Sequence, residues 1–237
     1  MLTPAKYSKL QAAIKVYCKT YLHGKYTDLD ESGTRLMINS FLTNVLGFVP
    51  IEEVKTEYMI RGTYADYVIQ LGGKRHFLVE VKALSIALSQ KHLRQATHYG
   101  ADEGIDWALL TNGKAFEVYR ILFNKPIEAR RVFSLDLTNI DHIKQSANLL
   151  QYLHKDSVSH KGLDVLWNRT QALDPKCIGG LLYSPTVVSF LRRTLKEKYK
   201  AKFSEEDVEA ALTRLVAHAI PLEEIKPNRA KKERAKR

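Results

Sequence analysis

The apolar residues of this chain change their spacing twice, and the middle stretch restricts the possible folds most. Between residues 54 and 122, short runs rich in Val, Ile, Tyr and Phe are separated by turns that contain glycine, a pattern typical of β-strands. The predicted strands are 54–60, 64–71, 76–83, 106–111 and 114–122. Helical spacing is found at 5–22, 31–46 and 89–103. This order predicts an α/β (α+β) fold, with a mixed sheet flanked by helices.

Local signals refine two of these elements. The helix over 31–46 carries the apolar stripe Leu36, Phe41, Leu42 and Val45, and Gly47 is expected to end it. Asn112-Gly113 predicts a hairpin with positive φ at both central positions of the turn.

Strand signals end near residue 138, and helical spacing follows at 139–154, 157–172, 184–200 and 204–218. We therefore predict a core over 1–136, a helical C-terminal region over 137–225 and a basic, disordered tail over 226–237.

Charge and composition narrow the class of partner. The 237 residues carry a formal net charge of +11, with a pI near 9.5. This charge favours polyphosphate, although membrane surfaces and acidic proteins attract it as well. No run approaches the roughly 20 apolar residues of a membrane helix, and the first residues do not resemble a secretory signal. Cys18 and Cys177 are expected to be free thiols, so we predict a cytoplasmic protein.

Two carboxylates and an amine are expected to meet on one pair of strands. Glu80 and Lys82 share a strand face, because side chains alternate along a strand. A three-residue loop, Gly72-Gly73-Lys74, would place Asp66 opposite Glu80 and pair the apolar residues of the other face. Those pairs are Tyr67 with Val79 and Ile69 with Phe77. A two-residue loop would set Asp66 against Val79 and mix the faces.

Such a cluster has two interpretations. Paired carboxylates are hard oxygen ligands for Mg²⁺, and a nearby lysine can orient a water or stabilise developing charge. Alternatively, Lys82 only neutralises Asp66 and Glu80 in a cross-strand ion pair. The spacing alone does not decide, since Glu-x-Lys occurs three times in the chain.

Several motifs in order resemble the N-terminal nuclease domain of type I restriction enzyme R subunits, within the PD-(D/E)XK superfamily. They are Glu31-Ser-Gly-Thr-Arg35, Ala65-Asp66-Tyr67-Val68, Phe77-Leu-Val-Glu80-Val-Lys82, Gln95-Ala-Thr-His-Tyr99, and Leu110-Thr-Asn-Gly113 followed by Phe116-Glu-Val-Tyr119. The resemblance implies a restriction-endonuclease-like fold with the C-terminal helices as an appendage. Ala65 stands where many superfamily members have proline.

The resemblance also implies a set of site residues. Asp66, Glu80 and Lys82 would be catalytic, with Gln95 and Tyr99 supporting them from one helical face. The metal, Mg²⁺ with Mn²⁺ as the alternative, would be held by Glu31, Asp66, Glu80 and the Val81 carbonyl. Glu31 is equally explained as a surface acid that the helix dipole favours. The alternative interpretation of Gln95 and Tyr99 is a solvated face of the helix.

The predicted function is a Mg²⁺-dependent endonuclease acting on DNA, and the alternative is a non-catalytic DNA-binding module with the same fold. Lys91, Arg94, Arg192, Arg193 and Lys196 are candidate phosphate contacts, although such charge runs usually form solvated faces. The sequence contains no Gly-x-x-x-x-Gly-Lys-Ser/Thr loop, so we expect no ATP motor on this chain. Other restriction or defence subunits are expected partners, and a dimer is plausible.

Overall fold

The computed structural model describes residues 1–24, 26–60 and 63–216. Six strands form the sheet: β1 Val54–Ile60, β2 Thr63–Leu71, β3 Lys74–Val81, β4 Trp107–Thr111, β5 Ala115–Leu122 and β6 Glu128–Asp136. The helices are α1 Pro4–Tyr17, α2 Glu31–Ser40, α3 Arg94–Glu103, α4 Ile143–Leu150, α5 Lys155–Ser159, α6 Gly162–Ala172, α7 Pro175–Leu182, α8 Pro185–Tyr199 and α9 Glu205–Val216. No helix of the described part is long and apolar enough to cross a membrane.

The strands lie in the sheet in chain order, from β1 to β6. All neighbours are antiparallel except β3 and β4, which are parallel. A parallel pair needs a crossover, and the chain supplies it with α3. The predicted mixed sheet flanked by helices is therefore confirmed.

The sixth strand was missed in the sequence. β6 pairs with β5 along its whole length but is an edge strand with mostly exposed positions. The adjacent Arg130 and Arg131 break the apolar alternation that marks a half-buried strand. Pairing with β5 places this strand in the sheet, whereas the residue pattern of β6 alone does not predict a strand.

Each face of the sheet covers a separate core. The larger core includes Phe41, Ile69, Phe77 and Val79, and α1, α2 and α4 contribute to it. The smaller core lies under α3 and includes Val68, Leu78, Leu110 and Tyr119. Alternate residues of β2 and β3 thus enter different cores, as strand geometry requires.

The β2–β3 hairpin corrects the predicted loop but keeps its register. The turn has two residues, Gly72 and Gly73, since Leu71 pairs with Lys74. Both glycines have positive φ, 56° and 79°, as tight hairpin turns require. A bulge then adds His76 to β3 and restores the pairs Tyr67–Val79 and Ile69–Phe77. The predicted three-residue loop was wrong because no residue type in this hairpin marks the bulge.

The β4–β5 turn also differs from expectation. Only Gly113, with φ of 85°, has a positive value in this turn. Asn112 acts through its side chain instead, because its Oδ1 accepts hydrogen bonds from the amides of Lys114 and Ala115 at 3.3 and 2.8 Å.

The helix over 31–46 is present, but it changes geometry near its end. α2 runs to Ser40, and a π-helical turn over Phe41–Val45 follows before Gly47, whose φ is 79°. Phe41 and Val45 are buried as predicted, whereas Leu36 is 75% exposed. The assignment of Leu36 to the apolar stripe was wrong, because the buried face of α2 runs through Thr34, Met37 and Ile38.

The helical C-terminal half contributes to two compact units. The first unit spans Met1–Trp167 and the second begins at Asn168. In the first unit, residues of α4 to α6 such as Ile143, Leu150 and Leu163 are part of the larger core. In the second unit, α8 and α9 pack around Val188, Val208 and Leu212.

Candidate active site

Asp66, Glu80 and Lys82 come together where β2 and β3 separate. The ladder of paired residues between the two strands ends at Tyr67–Val79. One residue further, the Asp66 Oδ2 atom accepts a hydrogen bond from the Val81 amide at 2.7 Å. The Lys82 Nζ atom donates to the Glu80 Oε1 atom, also at 2.7 Å. The side chain of Asp66 thus satisfies a backbone donor that the neighbouring strand leaves unpaired.

The first turn of α2 adds a third carboxylate. The Asp30 side chain caps this helix by accepting from the Gly33 amide at 2.7 Å. Glu31 follows, and its Oε2 atom lies 3.5 Å from the Lys82 Nζ atom. The structure therefore places Glu31 beside the predicted cluster, where a helix N-terminus favours negative charge.

Arg35 is a member of the cluster that sequence reasoning missed. Its Nε atom lies 2.8 Å from the Asp66 Oδ1 atom, and its Nη2 atom donates to the Glu31 Oε1 atom at 3.1 Å. The available signal was the four-residue spacing of Glu31 and Arg35, which places both on one helical face. Contact with Asp66 depends on the position of α2 against the sheet, which the sequence does not reveal.

Burial raises the pKa of the two strand carboxylates. The side chains of Asp66 and Glu80 are 9% and 6% exposed. Desolvation raises the pKa of Asp66, although the Val81 amide and Arg35 oppose the rise. Desolvation likewise raises the pKa of Glu80 against the hydrogen bond from Lys82, and the charge of Asp66 adds to the rise. The anionic forms of Asp66 and Glu80 are therefore less stable than those of ordinary carboxylates, and a nearby cation would stabilise them.

Lys82 remains a cation in this setting. Desolvation lowers its pKa, but the hydrogen bond to Glu80 and the charges of Glu80, Glu31 and Asp66 outweigh that effect and raise the pKa overall. Lys82 is thus suited to donate hydrogen bonds or stabilise negative charge, and not to act as a base near neutral pH.

The cluster contains the type of ligand that a divalent cation prefers, although its carboxylates are not arranged around such an ion. Among the described residues no group of three or more His, Cys, Asp or Glu side chains has the arrangement of a metal site. However, the cluster combines the carboxylates of Glu31, Asp66 and Glu80 with only two cations, Arg35 and Lys82. Carboxylate oxygens are the ligands that Mg²⁺ prefers. A divalent cation would compensate the excess negative charge of the cluster.

The remaining predicted metal and supporting residues have different surroundings. The amide of Val81 is bound by Asp66, and a role for its carbonyl stays a prediction. Tyr99 is 2% exposed and lies in the smaller core between α3 and the sheet. The solvated face considered for Tyr99 is therefore wrong. The backbone of Gln95 lies on α3, but its side chain falls outside the described part of the chain.

Lys91 and Arg94 lie together on the surface beside α3. Both are exposed and line a groove of about 490 Å³. The other residues that line it are Gln90, Thr97, His98, Ile127, Glu128 and Ala129. The Gln90 Nε2 atom donates to the Ala129 carbonyl at 2.7 Å, which ties the start of α3 to the edge strand.

The other predicted phosphate contacts lie in the second unit, on α8. Arg193 and Lys196 are exposed. Arg192 is partly buried, and its Nη1 atom lies 3.3 Å from the Glu205 Oε1 atom of α9. One of the three cations is therefore already paired with an acid.

The sheet, its flanking helices and the acidic cluster at the end of β3 define an α+β protein with a restriction-endonuclease-like fold. Residues 30–128 match the model of the family described as type I restriction enzyme R protein N terminus. The resemblance seen in the motifs is therefore confirmed for this part of the chain. The family indicates a nuclease-like role, while the wider PD-(D/E)XK assignment stays a prediction. No curated protein and no solved structure matched the chain.

Proposed function

We propose that this protein is a Mg²⁺-dependent endonuclease that hydrolyses DNA phosphodiester bonds. The observation that carries the proposal is the cluster of Glu31, Asp66, Glu80 and Lys82 at the end of β3. The family match to the N terminus of a restriction enzyme subunit supports it independently. DNA and other restriction-system subunits are then its partners.

Each member of the cluster has a distinct part in this chemistry. Asp66 and Glu80 would hold the metal, with Glu31 completing the set from α2. A bound Mg²⁺ would polarise the scissile phosphate and lower the pKa of an attacking water. Lys82, which stays protonated, would orient that water or stabilise the charge that develops on the phosphate.

The groove beside α3 supports a path for the DNA backbone. Lys91 and Arg94 are exposed cations on one wall of it. Val68, Leu78 and Glu80 alternate on the side of the sheet that α3 covers. Phosphates bound by Lys91 and Arg94 would therefore lie on the same side of the sheet as Glu80, and neutralising them would release counterions.

One observation favours a second function, a DNA-binding module without cleavage. Both oxygens of Asp66 already have partners, the Val81 amide and Arg35. An aspartate whose two oxygens both have partners within the protein does not require a metal. Such a module would bind DNA in a salt-sensitive manner, without a metal requirement.

The two functions are separated by cleavage assays on supercoiled plasmid and single-stranded DNA with purified protein. An endonuclease cuts with Mg²⁺ and not with EDTA, and Lys82→Ala and Asp66→Ala each lower the rate about 100-fold or more, as expected for loss of a group that acts in the transition state. Lys91→Ala is the matched surface lysine change. It should weaken DNA binding and its salt dependence slightly while cleavage at saturating DNA persists.

Equal cleavage by the wild type, Lys82→Ala and Asp66→Ala would contradict the assignment of these residues. DNA binding without any metal-dependent cleavage would favour the second function.

A further inference from the structure

The guanidinium of Arg35 contacts two of the three carboxylates of the cluster. It reaches Asp66 through the Nε atom and Glu31 through the Nη2 atom, at 2.8 and 3.1 Å. The planar guanidinium suits this bridge, because its donors point in fixed, divergent directions. A cation is thus already present on the Asp66 oxygen that the Val81 amide does not use.

The backbone of Arg35 is held by hydrogen bonds, whereas its side chain is partly exposed to solvent. The Tyr67 hydroxyl donates to the Arg35 carbonyl at 2.7 Å, and the Leu84 amide donates to the Leu29 carbonyl at 3.0 Å. These bonds hold the start of α2 against the sheet. The side chains of Arg35 and Glu31 are 32% and 40% exposed, while that of Asp66 is only 9% exposed.

We propose that Arg35 is an exchangeable counter-ion that holds Asp66 in the metal-free protein and turns away from it when a divalent cation binds. This inference rests on the proposed function of the same site. The contact with Glu31 lies on the more exposed side, so the guanidinium can leave Asp66 and keep that partner. Two cations competing for one Asp66 oxygen make metal binding weaker than the carboxylates alone would allow.

Arg35 is then a positioning residue that sets the metal affinity. Without it, the buried charge of Asp66 would face Glu31 and Glu80 with only Lys82 as counter-ion, and the metal-free site would lose stability. The same change would remove the competitor. Loss of Arg35 should therefore lower the stability of the metal-free protein and raise its affinity for a divalent cation.

The first test measures Mn²⁺ binding to the full chain by isothermal titration calorimetry, without DNA. Arg35→Gln should bind Mn²⁺ more tightly than the wild type, on the order of tenfold. It should also melt at a lower temperature without metal and gain more in melting temperature from Mn²⁺. Arg75→Gln is the matched control, because Arg75 is 30% exposed and ion-paired with Glu103. It should leave the Mn²⁺ affinity unchanged.

A second test follows the exchange in the wild type and needs no variant that folds poorly. The ¹⁵Nε–H signal of Arg35, assigned by its loss in Arg35→Lys, is recorded during a Mg²⁺ titration. It should move and exchange faster with water as Mg²⁺ saturates the site, while the Arg75 signal stays in place. An unchanged signal at saturation would overturn the exchange.

The outcomes separate this inference from the proposed function. If the wild type binds Mn²⁺ but Arg35→Gln binds it equally or more weakly, Arg35 is not a competitor and only the inference fails. If neither the wild type nor Arg75→Gln binds Mn²⁺, the metal-dependent function fails, and the inference fails with it.

Discussion

Two buried carboxylates lie in one row across the sheet and have opposite surroundings. Glu80 on β3 and Glu117 on β5 both pair with Leu110 of β4, one from each side. Glu117 is 8% exposed and Glu80 is 5% exposed. Their positions and burial are therefore similar, and the difference between them lies in their partners.

Glu117 is matched by donors. The Tyr119 hydroxyl donates to its Oε2 atom at 2.5 Å, and the Arg131 Nη1 atom donates to its Oε1 atom at 3.1 Å. Glu80 instead receives one bond, from Lys82, and shares that lysine with Glu31. The charge of the nearby Asp66 raises the pKa of Glu80 further.

The comparison shows how a buried acid that stabilises the fold differs from one suited to bind a ligand. A carboxylate whose oxygens both have donors contributes to stability and has little need of another cation. A carboxylate that faces other acids costs free energy unless something compensates it, and such groups concentrate at functional sites. Glu117 is therefore a buried acid that stabilises the fold, whereas Glu80 is one suited to bind a ligand.

The largest expected difference is in DNA cleavage. Glu80→Gln should lower the Mg²⁺-dependent cleavage rate about 100-fold or more, because the amide is a poor metal ligand at a site that needs negative charge. Glu117→Gln should change the rate less than about threefold. Initial rates of plasmid nicking at equal fractions of folded protein measure both, and a similar loss in the two variants would remove the distinction.

Stability should show the reverse order. Glu117→Ala leaves the buried Tyr119 hydroxyl without its acceptor and should lower the free energy of unfolding by about 1–3 kcal/mol. Arg131 adds little to this, since its side chain is 57% exposed. Glu80→Gln should leave stability unchanged or raise it. Urea unfolding without metal measures both values, and a larger loss in Glu80→Gln would contradict the comparison.

The pH dependence of stability sharpens the same contrast. The folded pKa of Glu80 lies above its ordinary value of 4.5, so the folded protein binds a proton more readily than the unfolded chain. Its contribution to stability is therefore present below the ordinary value and is lost as pH rises through the raised folded pKa.

Glu80→Gln lacks this titration. The free energy of unfolding of the variant, relative to the wild type, should therefore increase as pH rises above the ordinary carboxyl value of 4.5. Urea unfolding at several pH values without metal measures it, and a constant difference across the range would contradict the raised pKa.

The smallest effect belongs to a single hydroxyl. Tyr119→Phe removes one donor to Glu117 but keeps the ring in the smaller core, so it should cost about 1 kcal/mol. Thermal unfolding measures the loss. Cleavage should be unaffected, and a fall in rate would place Tyr119 in the functional site.

The sequence predicted the fold wherever the signal was local and repeated. Five strands and the helix predicted over 89–103 follow from periodicity. The structure confirms them, although the α-helix begins at Arg94 and a 3-10 turn over Gln90–Leu93 precedes it. The approach of Asp66 to Glu80 followed from pairing Tyr67 with Val79, because a shift by one residue would bury the acids in the larger core. These features could be predicted because they depend only on residue spacing and on the pairing of adjacent strands.

The parts that were missed depend on contacts distant in sequence. β6 is held by β5 and carries little pattern of its own. Arg35 reaches Asp66 because α2 packs against the sheet, where the Tyr67 hydroxyl donates to the Arg35 carbonyl. The bulge at His76 is a local irregularity with no composition that marks it. Each of these follows from tertiary contacts and not from propensity.

The extra residue at His76 has a consequence for the length of this hairpin. The turn is one residue shorter than the loop that would place Asp66 opposite Glu80. The extra residue in the bulge compensates for this and restores the register of the two strands. Changing the turn or the bulge alone would bring Glu80 and Lys82 to the reverse side of the strand, while changing both together would leave them in place. Insertions and deletions in this hairpin are therefore tolerated only in compensating pairs.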